Sequence, residues 1–201
     1  MLTALLIILD GSATWEKLGA IPKHRVWRVF FGYLAPILLL TIAVESYSLL
    51  KFGLREGEFV TRVVKPSQDL VIRYETIKTG LDLFIIFAGA WMLQKMGQGF
   101  HRKHSYSESF AALGYSLGPF FLARLLGAVP SINSWIPYTI GILLAVSALY
   151  KGIPRIMKPD PSNALGLYIM TSLGLIVVTG LAHFLRLQVL DQNILHKGFT
   201  F

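Results

Sequence analysis

Five blocks of the chain are apolar for long enough to cross a bilayer, at about 26–47, 77–96, 110–128, 135–153 and 164–185. A spanning helix needs roughly 20 predominantly apolar residues. None of the blocks alternates apolar and polar positions as a half-buried strand does. The bilayer core holds no water to satisfy open backbone groups, so spans of this kind must be helical. The pattern predicts an all-α, polytopic integral membrane protein, a bundle of five transmembrane helices.

The opening stretch MLTALLIILD is apolar but too short to span, and it lacks the basic start and small-residue cleavage site of a signal peptide. It predicts a short N-terminal interfacial helix, with Trp15 as an anchor at the membrane surface. The organisation expected is an interfacial segment at 1–25, a five-span membrane domain at 26–189 and a tail at 190–201. Within the domain, about 51–76 reads as an extramembrane connection. There, EFVTRVV is rich in β-branched residues and suits an extended segment. KPSQDL reads as a helix start, with Ser67 as N-cap and Asp69 in the first turn. Leu70, Tyr74, Ile77 and Leu81 then follow helical spacing while Glu75, Lys78 and Asp82 share a face, so span two is expected to begin as a projecting amphipathic extension.

Composition supports this class: only 15% of residues are charged, against about 25% in soluble domains. The absence of cysteine excludes disulfides, thiolate metal sites and cysteine nucleophiles. The net charge of +8 does not point to nucleic acid, because the basic residues sit in loops beside apolar blocks, where anionic lipid headgroups are the natural partner. Lys17, Lys23, Arg25 and Arg28 precede the first block; Lys95, Arg102 and Lys103 lie between the second and third. Lys151, Arg155 and Lys158 follow the fourth, whereas the opposite side has the nearly uncharged turn GAVPSINSW and a tail with Arg186 and Lys197. The exception on that side is the connection from Lys51 to Lys78, with six basic and four acidic residues. The bias predicts a cytoplasmic N-terminus and an external C-terminus. KGIPRIMKPDPSN reads as a stiff inner connection, with Ser162 or Asn163 capping the last helix, or as a docking surface for a cytosolic partner or an anionic lipid.

Of the ionisable residues within the blocks, Glu45, Asp82, Arg124 and His183 are the informative ones, all toward the outer side. A charge at the bilayer centre costs at least about 2.5 kcal/mol, so such groups pair or reach for headgroups. Two readings stand open: each snorkels separately, or Glu45 or Asp82 pairs with Arg124 near His183, as a helix clamp or a small-solute or proton site. His101 and His104 in HRKH have a spacing a metal could use on a helix, but no third ligand is near in sequence and a basic surface loop is the plainer reading. Phosphate-loop, nucleophile-elbow and zinc-protease motifs are absent, so no enzymatic activity, metal or cofactor is expected.

Ser107, Ala111, Gly114 and Gly118 form one small-residue stripe on the third block, which suits close helix approach. Pro119 lacks an N–H, so the Tyr115 carbonyl loses its helical partner and a kink is expected. Ser116, a neighbouring helix or a trapped water are the donors available to it.

FAALGYSLGPFF followed by YTIGILLAVSALYKGIPRIM resembles the Yip family of membrane proteins (Ypt/Rab-interacting proteins), through Gly114-Tyr115 before Pro119 and through Tyr150-Lys151-Gly152-Ile153-Pro154. ILDGSATWEKL resembles the lead-in of compact bacterial members. The resemblance implies a five-helix membrane domain with a cytosolic N-terminus and a scaffold or adaptor role, with membrane lipids, other membrane proteins or a second copy as partners. Eukaryotic members bind small GTPases through long cytosolic N-terminal regions. Only about 25 residues precede the first block here, so GTPase binding is not expected. A small transporter using the outer polar residues is the alternative.

Overall fold

A computed structural model describes residues 2–21, 24–56, 62–99 and 104–195. Five of its helices are long and apolar enough to cross a membrane: Val26–Phe52, Gln68–Gly99, Tyr106–Ala128, Trp135–Met157 and Ser162–Gln188. These are spans one to five, and span five belongs to a helix running Pro161–Leu195. The protein is thus of the all-α, five-span class that the hydropathy pattern predicts. Two short helices precede the spans, α1 (Leu2–Leu9) and α2 (Gly11–Gly19).

Local chemistry sets the boundaries. Span one ends at Gly53, whose φ of 73° is open to glycine and strained for other residues. The chain then forms a small antiparallel hairpin, β1 (Leu54–Glu56) with β2 (Arg62–Val64), pairing Leu54 with Val64. Part of EFVTRVV is therefore extended; residues 57–61 lie outside the described residues. Ser67 Oγ accepts from the Leu70 N–H at 3.4 Å, at the start of span two. A capping box opens span three: Ser105 Oγ accepts from the Glu108 N–H at 3.3 Å, and the Glu108 carboxylate accepts from the Ser105 N–H at 3.0 Å. Span five starts at Pro161, and the Asp160 carbonyl accepts from the N–H groups of Asn163 and Ala164. The expected cap at Ser162 or Asn163 is thus corrected to a start one or two residues earlier, because proline fits the first helical position without losing a bond.

Span three is the centre of the bundle. Its apolar window is 72% buried, against 28–44% for the other four. Phe110, Leu113, Leu117, Phe120 and Phe121 are enclosed by neighbouring spans. Gly141 of span four packs closely against Phe120 and Ala123, where small residues let two backbones approach.

α1 and α2 pack against the bundle. Ala4 and Ile7 are buried, and Trp15 is fully enclosed, at 0% exposure. This corrects the reading of Trp15 as a surface anchor. Gly152 makes the difference: a Cβ there would lie within 3 Å of the indole ring, so its absence gives Trp15 a seat. Gly11 and Gly19 flank the indole along α2 and abut Lys151 and Arg155, so α2 runs along the end of span four.

His24, in the link between α2 and span one, is buried with its ring edge-on to Tyr115 at 6.3 Å. Burial holds its pKa below the ordinary 6.5, and the nearby Glu108 carboxylate opposes this only in part. The folded state therefore favours neutral imidazole. The stability it contributes is complete above about pH 6.5 and is lost as pH falls below that value. Thermal unfolding in detergent should show a larger drop between pH 7.5 and pH 5 for the natural protein than for His24→Gln. Equal drops would show that another group sets the acid response.

Candidate functional site

Glu75, Lys78 and Asp82 recur at intervals of three and four, so they project from one face of span two. In water that face would point outward. Here it points into the bundle, with Lys78 and Asp82 each 1% exposed, while Ile72, Ile77, Phe84 and Trp91 are on the outside. Lipid inverts the usual preference: apolar side chains meet acyl chains and charged ones turn inward to one another. The expected projecting extension is corrected accordingly, since Glu75 is already buried and paired with Lys78 on the inward face.

Three further charges reach this face: Glu45 from span one, Arg124 from the 3-10 turn that ends span three, and Arg186 from span five. Arg186 pairs with one Asp82 oxygen. Arg124 Nη1 donates to the other at 2.6 Å, and Arg124 Nη2 reaches Glu45 Oε2 at 3.3 Å. Lys78 pairs with both Glu45 and Glu75. The result is one chain of alternating sign, Arg186–Asp82–Arg124–Glu45–Lys78–Glu75, with three positive and three negative members. It ties spans one, two, three and five together and is neutral as a unit.

Sequence reasoning left open whether Glu45, Asp82, Arg124 and His183 snorkel separately or pair, and the structure joins the first three, with Arg124 bridging Asp82 and Glu45. His183 stands apart from the ion pairs. Its ring stacks on Tyr138 at 4.8 Å and lies edge-on to Trp135 at 4.6 Å, one turn before Arg186. Glu75, Lys78 and Arg186 are the members that the sequence reading left out. Arg186 was assigned to the external tail; it is buried in span five, because the helix continues past the apolar block. The three-four spacing of Glu75, Lys78 and Asp82 was the legible signal. Among the described residues, satisfaction falls off at the chain's ends, where the Glu75 oxygens accept no aligned hydrogen bond and Arg186 Nε has no hydrogen-bond partner; nearby, His183 Nε2 has none either. Among the described residues, no three His, Asp or Glu side chains are placed to share a metal ion.

The second assembly surrounds Tyr115. Tyr33 Oη of span one donates to the Tyr115 carbonyl at 3.0 Å, the acceptor that Pro119 leaves open. A neighbouring helix thus fills the role, while Ser116 Oγ donates to the Ala112 carbonyl at 2.8 Å. Gly118 makes this possible: a Cβ there would lie 1.9 Å from Tyr33 Oη, so only glycine leaves room for the phenol. Gly114 meets Val29 and Leu34 of the same span, and Ala111 is buried beside it in sequence. Tyr115 itself lies 4.9 Å from the Tyr33 ring and edge-on to Trp15 at 6.4 Å. The segment with Gly114, Tyr115, Gly118 and Pro119 and the one with Gly152 thus converge on a single aromatic lock, Trp15–Tyr115–Tyr33.

Of the basic residues, Arg25, Arg28 and Lys158 are exposed, and Lys151 and Arg155 are half-buried. Lys23, His101, Arg102 and Lys103 lie outside the described residues. His104 is buried beside Gly97, and its carbonyl accepts from Gln94.

A five-span bundle with a buried charge network and an aromatic seat for its N-terminal helices defines an integral membrane protein in which the lead-in is part of the fold. Over residues 5–189 the chain matches the Yip1 domain, and it belongs to the Yip family. The match begins within α1, in keeping with the packing of α1 and α2 against the bundle. No curated protein and no solved structure matches this chain.

Gly118→Leu should abolish the Tyr33 contact and lower the unfolding midpoint sharply. Overpacking alone costs about 1–3 kcal/mol. Tyr33→Phe should cost less, about 1 kcal/mol for one lost hydrogen bond. Thermal melts of both variants in detergent check this; a Gly118→Leu protein as stable as the natural one would contradict the packing described.

Proposed function

We propose that the protein is a non-enzymatic scaffold or adaptor of a prokaryotic cytoplasmic membrane, N-terminus cytoplasmic and C-terminus external, acting through contacts with other membrane proteins and lipids. The observation that carries this reading is the charge chain. Its three cations and three carboxylates pair with one another inside the bundle, so they act between helices, and the centre around span three is filled with side chains. The surfaces left for partners are the lipid-facing helix sides and the basic N-terminal end. One such surface is aromatic: Trp27 and Phe31, both more than 60% exposed, stack at 5.5 Å on the outside of span one. The gathering of Arg25, Arg28, Lys151 and Arg155 at the end that carries α2 supports the orientation.

The unpartnered polar atoms at both ends of the charge chain favour one rival, a small transporter that uses Glu45, Asp82, Arg124 and His183. Affinity capture in mild detergent, paired with proton-flux measurements in proteoliposomes, separates the two. The scaffold reading predicts a membrane-protein partner lost on replacing Trp27 and Phe31 with alanine, at unchanged thermal stability, and no flux above empty vesicles. Flux that disappears in Asp82→Asn, with no partner sensitive to the aromatic patch, would overturn it.

A further inference from the structure

The end of span four and the start of span five enclose a shallow groove of roughly 330 Å³, lined by Tyr150, Lys151, Pro154, Arg155, Ala164 and Leu165. Its two cations have no carboxylate partner among the described residues. The Arg155 guanidinium makes one weak contact, from Nη1 to the Lys151 carbonyl at 3.4 Å. Lys151 Nζ sits over Gly11, where a Cβ would be 3.1 Å away, at the first turn of α2. That helix end carries partial positive charge of its own. The adjacent Asp10 is exposed, caps no backbone amide and forms no ion pair with a described residue. The groove therefore presents two cations without an ion pair among the described residues, in contrast to the paired charges at the far end of the bundle.

The surroundings are those of a bilayer interface. Tyr150 is exposed at the rim and meets Tyr168 edge-on at 5.2 Å. Leu165 and Ile169, one turn apart on the outer side of span five, continue the rim as exposed apolar surface toward the membrane interior. Tyrosine at headgroup level, two cations above an apolar track and an open side facing lipid together fit a molecule with an anionic head and acyl tails.

We infer that this groove is a binding site for an anionic phospholipid, with its phosphate held between Lys151 and Arg155 and its acyl chains along span five. The site is a specific form of the lipid contact in the proposed function. It makes no use of a protein partner, so lipid selectivity and partner capture succeed or fail separately. Pro154 and Arg155, both in the π-turn from Ile153 to Met157, line the groove.

Native mass spectrometry of the delipidated full-length protein, titrated with phosphatidylglycerol or phosphatidylcholine, tests the inference. The natural protein should retain phosphatidylglycerol in preference. In Lys151→Gln/Arg155→Gln, affinity for it should fall by about 30-fold, the size expected for two basic contacts at a membrane surface. The unfolding midpoint without lipid should stay unchanged. Lys95→Gln, an exposed cation away from the groove, should bind as the natural protein does. Equal retention of the two lipids, an unaffected double variant, or an equal loss in Lys95→Gln would each overturn the site. Competition by inorganic phosphate at concentrations comparable to the lipid would assign the groove to free phosphate instead.

Discussion

A charge in hydrocarbon must find its opposite inside the protein, and the rest of this structure follows from how six charges do so. Asp82 holds two arginines, from spans three and five; Arg124 and Lys78 then share Glu45 from span one. Removing one member of such a set leaves its neighbour unmatched at low dielectric, a loss of about 3–5 kcal/mol when a buried pair is broken. The chain therefore fixes which face of span two points inward. It also sets the register of spans one, three and five against it. Span four contributes no member and is attached otherwise, by Gly141 against Phe120 and by Trp135 and Tyr138 around His183.

At the other end, the fold depends on absent atoms. Gly118 lacks the Cβ that would occupy the Tyr33 phenol, Gly152 lacks the one that would displace Trp15, and Pro119 lacks the N–H that would hold the Tyr115 carbonyl. Each omission weakens a helix taken alone. Together they admit two aromatic side chains, and one of these donates the missing hydrogen bond. Packing and hydrogen bonding between helices replace the hydrophobic drive that lipid does not supply.

Hydropathy made the five spans legible because span length is set by bilayer thickness. The stripe of Ala111, Gly114 and Gly118 was legible as a close-contact face, though its partner, Tyr33, was not, since helical spacing says nothing about which helix lies opposite. Glu45, Asp82 and Arg124 stood out as charges within apolar blocks. Glu75, Lys78 and Arg186 did not, because they lie at or just beyond the ends of the apolar blocks, where charge reads as solvent exposure. Trp15 was misplaced for the related reason that a tryptophan beside a short apolar run fits a membrane surface. Only the three-dimensional approach of Gly152 reveals its seat.

Neutral charge chain and aromatic lock sit at different depths of one bundle, and both bind helix to helix. The central claim is that the charges act on each other as a clamp. A double-mutant cycle at Asp82 and Arg124 tests it most directly, by equilibrium unfolding of Asp82→Ala, Arg124→Ala and the combined variant in detergent. The account predicts a coupling of at least about 2 kcal/mol, with the combined variant losing far less than the sum of the single losses. Additive losses would contradict it and leave the two groups acting independently.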